Sequence, residues 1–360
     1  MRIATLTVLL CTSLLGQSGE PLRLAVAGLV HGHVQGFLQS AKNRPDVRIV
    51  GISDPDPQLR SKYAKLFALP ESIFFADTAA MLDASKPEAV AIFTSTYDHA
   101  AAVEAAAAHH VPAMMEKPLA ASMEHARRIE RAAKDAGIPV IVNYETTWYR
   151  SHAEMWRMFH DQKTGGVIRR MVAMDGHEGP KEIGVQPEFF SWLTDPARNG
   201  AGALFDFGCY GANLMTWMLD NQRPLAVTAL IRTNKPGIYP KVDDEATILL
   251  QYPGAQGVIQ ASWNWPFSRK DFEVYTEKAY AIATGGNSLR VRNPGAAAEE
   301  TVKPGELRPD ERDSISYLTA IARRKVPPSG LSSLENNVIV TEILNAARES
   351  ARTGRTISLH

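Results

Sequence analysis

The sequence predicts two domains in succession. The first, over residues 21–145, is α/β with a parallel sheet; the second, over residues 146–360, is α+β with a mainly antiparallel open sheet. Three observations predict this. Short apolar runs rich in Val, Ile and Phe alternate with helix-like stretches as far as Asn143. Beyond residue 145, strand-like runs follow one another with few helices between them. The 360 residues, 45% hydrophobic and 22% charged, suit about two globular domains with a sizeable core.

In the first domain "LRLAVAG" and "VRIVGIS" read as strands ending at Gly28 and Ser53. "EAVAIFTS", "VPAMME" and "IPVIVN" are further short runs whose composition favours buried strands. Between them lie the helical stretches "DPQLRSKYAKLFAL", "HAAAVEAAAAHH" and "SMEHARRIERAAKDAG", the last stopped by Gly137 after basic residues. Such alternation implies a parallel sheet covered on both faces, the Rossmann arrangement. In the second domain "VIRRMVAMDG", "LAVTALIRT", "EATILLQYP", "QGVIQASWNW", "DFEVYTE" and "YAIATGG" read as strands. Two helices, "RDSISYLTAIARR" and "SLENNVIVTEILNAARESARTG", close the chain, and the last is expected to pack back on the first domain.

The first 18 residues differ from the rest. Arg2, an apolar run from Ile3 to Leu15 and the small residues Gly16 and Ser18 follow the order of a secretory signal peptide. The expected location is therefore periplasmic or secreted. A lipoprotein reading through Cys11 is opposed by the bulky Leu10 before it, and a buried first strand is the plain alternative. Cys11 and Cys209 are the two cysteines, so removal of the leader leaves no internal disulfide. Lys+Arg and Asp+Glu both number 39, which argues against a nucleic-acid footprint or a polybasic membrane patch.

The stretch "AVAGLVHGHV" stands where a strand gives way to a helix, the place of a dinucleotide phosphate loop. Gly28 supplies the tight turn. Val30 and His33 take the places of the second and third glycines of the usual fingerprint, with His31 and Gly32 between them. Asp54 follows the next strand at 54 − 28 = 26 residues, slightly beyond the usual ~20. A metal reading of His31 and His33 needs a third ligand, and no neighbouring Cys, His or Glu cluster supplies one in sequence, so no metal is expected. A turn without chemistry is the other alternative.

"MMEKPLA" places Glu116-Lys117-Pro118 at the end of a strand, and "GAGALFDFGCYGANLMTWML" follows in the second domain. Together they resemble the EKP and G-G-x-x-x-D-x-G-x-H/Y motifs of the Gfo/Idh/MocA oxidoreductases, which include glucose–fructose oxidoreductase and inositol dehydrogenase. Thr94 and His99 have the family's spacing to EKP, and the final helix and strand are also similar. The resemblance covers nearly all of the chain after the leader. It implies Lys117 as catalytic lysine, Asp206 as a substrate-binding or catalytic carboxylate, and Tyr210 where many members carry histidine. It also implies cofactor contacts from Gly28 and Asp54, and Val30, His31, Gly32, His33, Thr94, His99, Glu116 and Lys117 are expected to line the same cofactor site. Val30, His33, Cys209 and Asn213 depart from the family's pattern.

Oxidising an alcohol removes a hydride from carbon and a proton from oxygen, and the protein must orient the first and manage the second. Lys117 can stabilise the developing alkoxide. Tyr210 can accept the proton if a nearby Lys⁺ lowers its pKa from about 10. Asp206, four residues before Tyr210, is expected on the same helical face. Taken singly, Lys117 reads as an exposed charge, Asp206 as a helix N-cap and Tyr210 as packing; their joint spacing favours function. His177 in "MDGHEGP" is a candidate for contacting sugar hydroxyls, or a surface-loop histidine. Trp263, Trp265 and Phe267 alternate as if on one sheet face, which is also a candidate dimer surface.

The expected function is NAD(P)-dependent hydride transfer with a sugar, sugar derivative or cyclitol. Asp54 favours NAD by accepting the ribose diol and repelling a 2′-phosphate, and NADP is the alternative. NAD-dependent glycosidase or lyase chemistry through transient oxidation, and carbohydrate binding without catalysis, are the competing functions. A homo-oligomer, dimer or tetramer, is expected.

Overall fold

The computed structural model describes residues 20–359. The expected leader and Cys11 lie outside them. The first domain alternates strands and helices: β1 (Leu22–Ala27), α1 (Val34–Lys42), β2 (Val47–Ser53), α2 (Pro57–Phe67), β3 (Phe74–Phe75), α3 (Thr78–Ser85), β4 (Ala89–Ile92), α4 (His99–Ala108), β5 (Ala113–Glu116), α5 (Met123–Ala136) and β6 (Val140–Asn143). The sheet order is β3-β2-β1-β4-β5-β6, with every pair parallel. Both faces are buried, which explains the apolar runs. Leu22, Leu24 and Val26 of β1 pack with Val34, Phe37 and Leu38 of α1 on one face. Ala25 and Ala27 pack with Met81, Leu82 and Val103 on the other. α5 starts where the Ser122 hydroxyl accepts the His125 amide and stops at Gly137 in the left-handed region, φ +64°.

The second domain contains α6 (Arg150–Trp156), β7 (Ile168–Gly176), α7 (Pro187–Leu193), α8 (Pro196–Asn199), α9 (Ala203–Asp206), α10 (Gly208–Met218), β8 (Ala226–Arg232), β9 (Glu245–Gln251), β10 (Gln256–Ser262), β11 (Arg269–Thr276), β12 (Tyr280–Thr284), β13 (Leu289–Arg292), β14 (Glu300–Val302), α11 (Ser314–Ala322), α12 (Leu334–Thr353) and β15 (Ile357–Ser358). Its sheet runs β14-β13-β12-β11-β7-β10-β9-β8-β15, antiparallel except for β7–β10. Strand alternation turns Met171, Ala173, Phe272, Val274, Ile259 and Ile248 into the core. α10 packs on β7 and β10 and α12 on β8, so these helices cover the inward face.

The C-terminal segment does not keep to one domain. It is the penultimate helix, α11, that joins the first domain's core, through Ile315, Leu318 and Ile321. α12 packs on α5, β6, α10 and β8 and so touches both domains. Trp263, Trp265 and Phe267 do not share a sheet face. β10 ends at Ser262, where the Ser262 hydroxyl accepts the Asn264 amide; Trp263 is fully buried and Phe267 is exposed.

Candidate active site

The two domains meet over the carboxyl ends of β1, β2, β4 and β5, where an α/β sheet presents its ligand site. One cleft, of about 450 Å³, is lined by Gly28, Val30, Asp54, Thr94, Asp98 and Arg198. Gly28 has φ +89°, and a Cβ there would lie 2.7 Å from the Thr94 backbone nitrogen and Cγ2, so glycine is required on both counts. Asp54 is buried at the end of β2. Its Oδ2 accepts the Leu29 amide at 2.8 Å and its Oδ1 the Asp56 amide at 2.9 Å. Each oxygen keeps a lone pair for a ribose hydroxyl. Burial raises the carboxyl's pKa, opposed by those two amides. The N-terminus of α1 has neither a side-chain cap nor an acidic residue in its first turn, leaving amides for a pyrophosphate. These features fit a dinucleotide.

The loop between Gly28 and α1 is held by the second domain. Val30 is half-buried at the cleft and its carbonyl accepts Trp192 Nε1 at 3.1 Å. His31 is buried among Phe93, Phe189 and Trp192, a packing position. A Cβ on Gly32 would meet Phe189 at 2.8 Å, so this glycine serves the α7 contact. His33 is half-exposed; its ring does not cap α1 but bonds Glu116 Oε2 at 3.0 Å.

His31, His33 and Glu116 place ligand-type atoms within 4.8 Å of one another. The third group that sequence spacing did not supply thus comes from β5. Its neighbours occupy it otherwise: His31 Nδ1 accepts the His33 amide, and Glu116 holds His33 and, through Oε1, Asn143 Nδ2 at 2.8 Å. His99 is buried at the start of α4 with Nδ1 3.2 Å from the Leu119 carbonyl, supporting the turn after Lys117. Burial pushes its pKa down to about 4, so it is neutral there.

A second cavity, of about 200 Å³, brings together Lys117, His177, Asp206, Tyr210 and Lys270 from five elements. Lys117 Nζ donates to Asp206 Oδ1 at 2.5 Å and to the Asp206 carbonyl at 3.1 Å. The pair crosses the domain boundary and is buried. Although desolvation is the largest influence on each group, the attraction between them outweighs it. Lys117 is raised and Asp206 lowered, so both are charged. Nζ has three donors, and two are used on Asp206, leaving one for a substrate oxygen.

Asp206 does not cap α10. It ends α9, and Phe207 separates it from Gly208, so a break rather than one continuous face carries Asp206 and Tyr210 into the same cavity. The lowered Tyr210 pKa expected from Lys117 is overturned. Burial, then the carboxylates Glu145, Asp206 and Glu116 with Cys209, hold the phenol well above its ordinary value. Lys117 Nζ lies over the ring face, 5.1 Å from its centroid, and is already neutralised by Asp206.

His177 Nδ1 accepts the Gly179 amide at 2.8 Å, so in the neutral ring the proton sits on Nε2. Burial lowers its pKa. Two site residues escaped sequence reasoning. Trp263 donates Nε1 to Asp206 Oδ2 at 2.9 Å. Lys270 Nζ also lies 5.1 Å from the Tyr210 ring centroid, and is paired with Glu145. The polar Lys270 side chain on an otherwise buried strand face was the available signal.

The family model "Oxidoreductase family, NAD-binding Rossmann fold" matches residues 22–144, and "GFO/IDH/MocA C-terminal domain" matches residues 152–282. D-apiose dehydrogenase of Rhizobium rhizogenes is 24% identical over 325 residues, 86% of this chain and 90% of that protein. Trans-1,2-dihydrobenzene-1,2-diol dehydrogenase of Macaca fascicularis is 24% identical over 229 residues, 63% of each chain. In fold, the chain is similar to the NAD⁺ complex of an inositol dehydrogenase homolog from Azotobacter vinelandii, with TM-score 0.80, 19% identity and coverage of 94% of this chain and 98% of that one. An aldose-aldose oxidoreductase from Caulobacter crescentus, complexed with glycerol, gives TM-score 0.79 at 19% identity, covering 94% and 100%.

Proposed function

The chain belongs to the Gfo/Idh/MocA family of NAD-binding oxidoreductases, and from that premise we propose that it transfers a hydride between NAD and a hydroxyl-bearing carbon of a sugar, sugar derivative or cyclitol. The observation that carries this is the buried Lys117–Asp206 pair at 2.5 Å, which leaves one ammonium hydrogen facing the cavity. A purely structural salt bridge there would be a weak source of stability, because desolvation offsets its attraction. Bound NAD supplies the hydride acceptor or donor. Lys117 Nζ holds the substrate oxygen and stabilises negative charge on it. Tyr210 and the Nε2 hydrogen of His177 are further donors on the same cavity. Asp206 keeps Lys117 charged and aimed.

NAD rather than NADP is supported by Asp54. Arg198 lines the same cleft, but its guanidinium is held by Asp98 at 2.8 Å and does not stand free for a 2′-phosphate. The relatives named for D-apiose, a dihydrobenzenediol and inositol support a polyhydroxy substrate. The test is to purify the chain without its first 18 residues, identify any bound nucleotide by absorbance and mass, and run a sugar panel on wild type and Lys117→Ala. Absence of nucleotide binding at millimolar supply, or full turnover by Lys117→Ala, overturns the assignment.

We also propose export through the N-terminal leader, with the cofactor retained between turnovers. Free NAD is scarce outside the cytoplasm, and residues 187–199 of the second domain cross the dinucleotide edge of the first. Glu188 pairs with Lys62 at 2.7 Å, Trp192 binds the Val30 carbonyl, Arg198 binds Ser95 and Asp98, and Asn199 accepts from Thr96 at 3.0 Å. N-terminal sequencing of the fractionated protein tests the leader; an uncleaved cytoplasmic chain sinks it.

Homo-oligomerisation through the outer sheet face is a further proposal. Leu249, Val258 and Val172 are successive cross-strand neighbours there, with Ile282 beyond Glu273 in the same row, and Leu230 nearby is 74% exposed. Light scattering on wild type and Val258→Lys reads it; a monomeric wild type refutes it.

A further inference from the structure

The cavity around Lys117 has two kinds of lining, and they come from different parts of the chain. Most of its polar groups are single residues, Lys117 and His177 just past β5 and β7, Asp206, Tyr210 and Lys270 on α9, α10 and β11, and His33 before α1. Of its apolar groups, Phe207 stands beside Asp206, and the other five, Pro180, Ile183, Val185, Phe189 and Leu193, come from one continuous stretch after β7 that also brings Gln186. That stretch is a built wall. The Ile183 amide bonds the Gly179 carbonyl at 3.0 Å and the Val185 amide the Pro180 carbonyl at 3.1 Å. Lys235 Nζ ties it down from outside through the Glu178 carbonyl at 2.7 Å and Glu182 at 2.6 Å. Ile183 is nonetheless 49% exposed, a β-branched apolar side chain fixed at the cavity's rim.

The charges are also informative. Both lysines lining this cavity already have a carboxylate partner, Lys117 in Asp206 and Lys270 in Glu145, and the His33 ring is bonded to Glu116. His177 is neutral because burial lowers its pKa. A phosphate or carboxylate on the substrate would find no uncompensated positive group, and would have to displace a buried carboxylate to gain one.

We propose that the substrate is an uncharged glycoside-like molecule, whose hydroxylated ring sits over Lys117 while an apolar substituent lies against the wall from Pro180 to Leu193. This rests on the oxidoreductase reading and specifies its substrate class. Sugar phosphates, uronates and small unsubstituted polyols are disfavoured: the first two by charge, the last because they leave the wall wet. The balance is that of the parent reaction. The ring's CH–OH becomes C=O, the hydride reduces bound NAD⁺ to NADH, the proton leaves to solvent, and the substituent is unchanged.

The experiment uses the NAD-loaded protein and matched methyl, phenyl and glucuronide-type derivatives of each sugar in a panel. Reduction of bound nucleotide is followed at the nicotinamide absorbance, and affinity is measured separately by calorimetry on the same compounds. Phenyl glycosides are expected to bind about tenfold or more tighter than methyl glycosides, the scale of discrimination an apolar pocket provides. Uronates are expected to bind more weakly than either. Ile183→Asp should bring the phenyl-to-methyl affinity ratio close to one. Equal affinity of methyl and phenyl compounds, or preference for uronates, overturns this inference. Tight phenyl-glycoside binding with no nucleotide reduction by any compound would leave the wall in place and remove the oxidoreductase reading instead.

Discussion

Trp263 donates its indole hydrogen to Asp206 Oδ2 at 2.9 Å while Lys117 takes Oδ1 at 2.5 Å. The carboxylate is therefore gripped from both sides, by the residue that follows β10 in the second domain and by the first domain's EKP turn. Trp263→Phe keeps most of the packing and removes one donor. It is expected to lower kcat about tenfold with a smaller change in KM, since it loosens the aim of Lys117 rather than removing a binding group. Unchanged kcat in steady-state assays, with native circular dichroism, would deny Trp263 this role.

Asp206→Asn leaves the Lys117 ammonium buried without its counter-charge. Breaking such a pair by removing one partner costs about 3–5 kcal/mol. Denaturant melts should show a loss of that order, and turnover should fall at least about a hundredfold. Asp206→Asn with Lys117→Met should recover much of the stability and none of the turnover. A double variant as unstable as the single one contradicts the account.

The pH dependence follows from the same charges. Lys117 and Tyr210 are both held protonated above their usual values, so the resting cavity offers donors and no base. Both stay protonated from about pH 7 to about 10, so carbonyl reduction should hold its rate over that range, and should slow, as alcohol oxidation accelerates, only above it. Stability has two limbs. Asp206's lowered pKa means its contribution is present above the unfolded value and is lost as pH falls through the folded one. Lys117's raised pKa means its contribution persists below the unfolded value and is lost only as pH climbs through the folded one. Melting temperature against pH, for wild type and the double variant, reads both limbs; parallel curves would exclude the pair as their source.

Arg198→Ala with Trp192→Phe removes two of the contacts across the dinucleotide edge. NAD release, followed by stopped-flow fluorescence, is expected to quicken about tenfold, the equivalent of about 1.4 kcal/mol. Identical release rates would place retention elsewhere or nowhere.

His31, His33 and Glu116 give a second outcome to check. With these groups engaged in the loop's own hydrogen bonds, dialysis against a strong chelator should leave turnover unchanged. Loss of activity restored by Zn²⁺, and absent in His33→Ala, would turn that cluster into a metal centre.

Much of the fold was legible because local signals agreed with it. β2 spans the predicted "VRIVGIS", and α5 and α12 stop at the glycines that ended their patterns. The short elements were not legible: α9 has four residues, too few to carry a period, and its break before α10 moved Asp206 off the expected face. The grouping of Lys117 with Asp206 was readable from spacing and family resemblance. The Tyr210 pKa was not, because its sign depends on where the ammonium lies relative to the ring and on carboxylates distant in sequence. Trp263 looked like sheet packing because strand alternation carries no mark of where β10 stops. Arg198 and Trp192 were silent for a similar reason, since their partners belong to the other domain.

The 450 Å³ cleft that holds Asp54 and the 200 Å³ cavity that holds Lys117 have no lining residue in common; the Val30–His33 loop runs between them. The molecule thus has two doors. On the proposed retention of the cofactor, a substrate is exchanged through the second while the adenosine end of the nucleotide stays in the first. An adenosine-like inhibitor should therefore act noncompetitively against the sugar, and a crowded sugar door should slow turnover without unloading the coenzyme.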